Sequence, residues 1–99
     1  MSASDPRLTV IPSTVEEWEQ VRRWLGLSER QIELVQYLFK GGKLELIALE
    51  MNLGHGTVKT YQQRIYQKLR ISERGQLILT VADAHLRVNL MPRFRQSAS

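Results

Sequence analysis

The sequence contains no cysteine. That excludes disulfides, thiolate nucleophiles and sulfur-ligated zinc. It has no charged-then-apolar leader of the secretory kind and no apolar run long enough to span a bilayer. No strand alternation, internal repeat or low-complexity tract is present. The two histidines, His55 and His85, are far apart and lack ligand-like neighbours, so no metal site is expected. No serine is marked as a nucleophile by a nearby histidine, and no glycine-rich phosphate loop occurs. An enzyme is not indicated, and no cofactor is implied. The most informative absence is local. The stretch "GHGTVKTYQQRIYQKLR", residues 54–70, holds Lys59, Arg64, Lys68 and Arg70 and not one carboxylate.

What is present is ordinary for a small globular chain. The 99 residues are 42% hydrophobic and 24% charged, enough for one modest core. The net charge of +4 is unevenly spread. Residues 1–42 carry five bases against six acids; residues 43–99 carry nine bases against four acids. A basic half beside a near-neutral half suggests a polyanion partner met by one side of the molecule.

Punctuation along the chain predicts an all-α domain. Residues 1–12, with Pro6 and Pro12, read as a flexible lead-in. An accessory helix over 13–25 follows, with Ser13 as its cap and Glu16 completing a capping box. Its apolar stripe is Val15, Trp18, Val21 and Leu25, and Gly26 stops it. The second helix is capped by Ser28 with Gln31 three residues on, stapled by Leu27 and Ile32, and ended by Gly41-Gly42. Its expected stripe is Ile32, Val35, Leu38 and Phe39. A short third helix buries Leu44, Ile47, Ala48 and Met51, and Asn52 suits the left-handed turn after it. The fourth helix, about 55–70, buries Val58, Tyr61, Ile65 and Leu69. A fifth runs from Ser72 to about Val88, and residues 89–99 read as a disordered basic tail.

The third and fourth helices are joined by so few residues that they must cross steeply, with Ala48 small enough to permit it. The outer face of the fourth then carries Lys59, Thr60, Gln63, Arg64 and Gln67. The major groove of B-DNA admits one helix. Lys and Arg donate to guanine, Gln pairs with adenine, and a Thr methyl meets a thymine methyl. A plain solvated face of a helical bundle is the competing explanation.

The segment from Leu27 to about Ala84 resembles the LuxR/GerE-type (NarL/FixJ-like) helix-turn-helix DNA-binding domain. The residues that carry the likeness are "LSERQIELVQYLFKGG", similar to the family's opening L-T/S-x-R-E-x-E-V-L, then "IA" at 47–48, "TVK" at 57–59, Ile65, "KL" at 68–69 and "SERGQ" at 72–76. The resemblance implies a compact four-helix domain over 27–88 with one extra N-terminal helix. It implies double-stranded DNA as partner and a cytoplasmic, nucleoid-associated bacterial regulator. By position, Thr57 would lie against a phosphate at the start of the recognition helix. Lys59, Thr60 and Gln63 would read bases, flanked by Arg64 and Gln67, with Lys68 near the DNA backbone.

The chain departs from the family at several places. Lys43 replaces a capping Ser or Thr, Asn52 a turn Gly, Gly54 a capping Ser, Tyr61 a His and Gly75 a Thr or Ser. Leu46 and Leu49 would point outward, which suggests a protein partner there. An interaction module, or an adaptor resembling a sigma-factor region, is therefore the alternative function. The surplus apolar residues on 77–88 have two explanations: a homodimer contact through the last helix, about 73–88, as the resemblance implies, or cover by the N-terminal helix with Trp18 and Trp24. The 99 residues leave no room for a receiver or autoinducer-binding domain; the starting methionine and its lead-in suggest an intact short protein, and the alternative is a fragment whose sensor lies elsewhere.

Overall fold

A computed structural model of the chain describes residues 10–90. Among them the chain forms five helices and no strand: α1 (Val15–Leu25), α2 (Glu29–Phe39), α3 (Leu44–Met51), α4 (His55–Leu69) and α5 (Arg74–Leu90). The all-α four-helix arrangement with an added N-terminal helix is as expected. No helix among the described residues is long and apolar enough to cross a membrane.

The first helix starts one residue later than its pattern suggests. Thr14, not Ser13, is the cap, and Glu17, not Glu16, completes the box. Thr14 Oγ1 accepts from the Glu17 N–H at 3.1 Å, and the Glu17 carboxylate accepts from the backbone N–H groups of Ser13 and Thr14. This choice satisfies more orphan donors, because Glu17 also takes the Ser13 hydroxyl. In this register Val15 lies at the rim and is 84% exposed, so it is not part of the core stripe. Trp18 and Leu25 are half-buried, and Val21 is wholly buried. Glu19 is clamped by Arg22 and Arg23, and the Arg22 hydrogen bond is the main cause holding its pKa down to about 2.

The second helix is central, packed against α1, α3 and α4. Its Ser28–Gln31 capping box forms as expected, and Leu27 and Ile32 are both in the core. Contact with three neighbours explains why Leu34, outside the expected stripe, is fully buried. Gly41, at a φ of 81°, supplies the left-handed turn out of α2.

Ile47, Ala48 and Met51 anchor α3 from below, and Leu44 is half-buried. Asn52 adopts the left-handed conformation foreseen for it, at a φ of 58°. The Leu53 N–H then returns to the Ala48 carbonyl at 2.9 Å, closing the turn. Helix α4 ends at Leu69 rather than 70, because Arg70 takes a left-handed φ of 59° as its C-cap.

The last helix begins at Arg74, two residues later than expected; the N–H groups of Ser72 and Glu73 are taken by the Gln76 side chain. It continues to Leu90, so Asn89 and Leu90, assigned above to the disordered tail, are helical. The rest of that tail, and residues 1–9 of the lead-in, lie outside the described residues. Both explanations for the apolar surplus find residues here. The most extensive helix pairing in the fold is α1 on α5, and the buried residues of α5 are Leu77, Val81, Ala84, His85 and Val88. Leu79, Leu86 and Leu90 are left exposed on the opposite side.

Candidate nucleic-acid interface

The interface begins with how α4 is held. Val58 and Ile65 are wholly buried, while Tyr61, Tyr66 and Leu69 pack at the edge of the core. Arg30 reaches from α2 to the Met51 carbonyl at 2.7 Å, fixing the end of α3 where the turn departs. Helix α3 packs on α4, and Ala48 of α3 is buried. With a rotation of about 100° per residue, the direction opposite Val58 and Ile65 is held by Gly56, Thr60, Gln63 and Gln67. Lys59 lies on one flank of that line, and Thr57 and Arg64 lie on the other.

All seven residues named from the sequence are exposed: Thr57, Lys59, Thr60, Gln63, Arg64, Gln67 and Lys68. Six of them share the outward face or its flanks. Among the described residues, Lys59, Gln63, Arg64 and Gln67 have no side-chain hydrogen bond or ion pair, so their donors are unspent. Thr60 differs: its hydroxyl donates to the Gly56 carbonyl at 3.0 Å. The methyl is then the group it can offer outward. Lys68 differs more. Its ammonium donates to the Gly26 carbonyl, tying the end of α4 to the turn between α1 and α2. Its role here is to brace the helix.

Sequence pattern did not single out Arg30, whose bond spans 21 residues. Nor did it mark the bond that the Gln62 side-chain amide donates to Tyr66 Oη at 3.3 Å. No carboxylate lies anywhere on α4. On α3, Leu46 is 59% and Leu49 77% exposed, with Glu45 and Glu50 on either side of them. No group of side chains among the described residues is placed to hold a metal.

Arranged this way, α4 packs one side on the helical body and turns an exposed polar face without a carboxylate to solvent. Residues 25–81 match the family described as bacterial regulatory proteins, luxR family (GerE). An HTH-type transcriptional regulator of the exeN 3′ region from Aeromonas salmonicida is 32% identical over 76 residues, covering 77% of this chain and 39% of its own. The response regulator UvrY of Escherichia coli is 32% identical over 78 residues, covering 79% of this chain and 35% of its own. The regulator MalT of Vibrio campbellii is 33% identical over 54 residues, 54% of this chain and 6% of its own. The chain thus spans less than two fifths of the length of these relatives. No solved structure matches it significantly. The helix-turn-helix geometry and the matched segment, which takes in α2, α3 and α4 entire, together place the chain in the LuxR family of bacterial regulatory proteins.

Proposed function

We propose that this chain is a sequence-specific, DNA-binding transcriptional regulator whose α4 enters the major groove. The observation that carries this reading is the outward face of α4: exposed Lys59, Gln63 and Gln67 with unspent polar groups and no acid on the helix. Such a face suffers no repulsion from phosphates and can bond base edges. Family membership supports it, as do relatives named as transcriptional regulators. A bacterial cytoplasm is the compartment that goes with it.

Selection of bound sequences from random duplexes tests the proposal, and it should return an enriched motif. Lys59→Ala or Gln63→Ala should cost about 1–3 kcal/mol on that motif and relax one base position. Recovery of no enriched sequence would refute it.

A second reading has its own observation. Helix α3 turns Leu46 and Leu49 to solvent, and its Glu45 and Glu50 would repel a phosphate backbone. A protein partner on that face is compatible with DNA on α4. As the sole function, it predicts a stoichiometric complex lost in Leu46→Ala with Leu49→Ala, and no DNA affinity at moderate salt.

A further inference from the structure

Between the start of α2 and the middle of α4 lies a cavity of about 170 Å3 lined by Ser28, Arg30, Gln31, Tyr61 and Arg64. No carboxylate lines it. Its hydrogen-bonding capacity is lopsided. In the α2 capping box, Ser28 Oγ accepts from the Gln31 N–H at 3.0 Å, and Gln31 Oε1 accepts from the Ser28 N–H at 2.9 Å. Each oxygen thereby spends one of its two acceptor sites, while the Ser28 hydroxyl hydrogen and the Gln31 amide hydrogens stay available. Arg30 spends one N–H on Glu33 and one on the Met51 carbonyl, both at 2.7 Å. Three of its five donors remain, on a guanidinium already held still. Arg64 and the Tyr61 hydroxyl have no hydrogen-bond partner among the described residues.

A small pocket rich in free donors, with two guanidinium groups, suits a tetrahedral oxyanion. Glu33 offsets part of the Arg30 charge, and Arg64 has no acid beside it. Glu29, the other acid at this end of α2, does not line the cavity. The family's opening motif has Glu where Gln31 stands, so in this chain an amide replaces a carboxylate at the pocket wall. Arg64 also lies about 40° round α4 from Thr60. The pocket therefore borders the face assigned to the groove.

We propose that this pocket seats a backbone phosphate of the DNA strand flanking the groove that α4 enters. The proposal rests on the DNA-binding reading and adds a second element, α2, to the contact. The test uses the full chain and a duplex carrying the selected motif. Gln31→Glu keeps a residue that completes the capping box, so the fold is preserved, but it places a negative charge in the pocket. Arg64→Gln and Tyr61→Phe are independent variants, each checked by circular dichroism. Gln31→Glu and Arg64→Gln should weaken binding roughly tenfold, equally on motif and random duplexes. For Arg64→Gln the slope of log affinity against log salt should fall by about 1. Tyr61→Phe should weaken binding less.

Unchanged affinity and slope in all three, with Gln63→Ala still impaired, would overturn the pocket and leave the DNA reading standing. Failure of the unaltered chain to bind any duplex would overturn the DNA reading itself. Titration with inorganic phosphate, followed by the Gln31 side-chain amide signal in NMR, then separates the remaining cases. A tight, saturable shift lost in Arg64→Gln would assign the pocket to a free phosphate and overturn the DNA source; a weak, unsaturated shift lost in the same variant is the result expected of a seat for a backbone phosphate. The absence of any shift would overturn the pocket as an anion site.

Discussion

At the residue scale, Thr60 shows how a local bond changes what a side chain can read. A free threonine hydroxyl serves as donor or acceptor to many bases. Here its hydrogen is given to the Gly56 carbonyl, so on the proposed reading the apolar methyl is what the groove would meet. The thymine methyl is the matching group. Thr60→Ser should therefore lose preference for thymine at one position of the selected motif. Replacing that thymine by deoxyuridine should weaken the unaltered protein and leave the serine variant unaffected. Equal losses in both would show that Thr60 does not read the methyl, and competition binding measures the difference.

Another residue-scale effect concerns stability. Hydrogen bonding by Arg22, then Arg23, depresses the Glu19 pKa to about 2. A depressed carboxylate stabilises the fold fully above its unfolded value, near 4.5, and loses that contribution as pH falls towards 2. Urea unfolding of Glu19→Gln should show a flatter acid limb than the unaltered chain across that window. The pair is partly exposed, so added salt should shrink the difference.

At the element scale, most helices were legible because their ends are chemically marked. Ser28 with Gln31, the left-handed Gly41 and Asn52, and the apolar spacing on α3 and α4 all act as foreseen. The start of α1 was not legible, because Ser13-Thr14 followed by Glu16-Glu17 offers two equivalent boxes. What separates them is the hydrogen bonding in the folded chain, where the Glu17 carboxylate accepts from the N–H groups of both Ser13 and Thr14. Leu34 was missed because a single-stripe pattern assumes one buried face, whereas α2 has three helical neighbours. The outward residues of α4 could be named from spacing, but the brace made by Lys68 could not. Its partner, Gly26, is 42 residues away. The cavity between α2 and α4 has the same character, joining Ser28–Gln31 to Tyr61–Arg64 across the fold. Gly56 makes the element-scale prediction. It sits inside α4 at negative φ, and an added Cβ would meet nothing within 4 Å. Neither packing nor backbone geometry requires glycine there. Gly56→Ala should raise stability by about 0.5–1 kcal/mol in urea unfolding. If DNA affinity falls while stability rises, the bare backbone is serving close approach to the duplex.

At the scale of the whole molecule, α1 and α5 decide what surface remains for self-association. Almost all of α1 lies outside the matched segment 25–81, yet it supplies Val21 to the core and covers one side of α5. With that side closed, the leucines Leu79, Leu86 and Leu90 stand opposite it, spaced 7 and 4 residues apart. This spacing keeps them on one line of a helix, as a packing seam requires. Arg87 and Asp83, paired at 2.9 Å and both exposed, lie beside that line and would form its polar rim. We expect the line to join two copies, each presenting one α4 to a half-site. Two linked helices convert weak half-site affinities into a strong two-fold contact. Leu86→Glu should leave the fold intact, because the residue is half exposed. It should abolish any dimer seen by sedimentation equilibrium and weaken binding to an inverted-repeat duplex. Affinity for a single half-site should stay the same. Should the unaltered chain sediment as a monomer at concentrations where it saturates the inverted repeat, α5 is not the coupling element, and the two copies would have to communicate through the DNA.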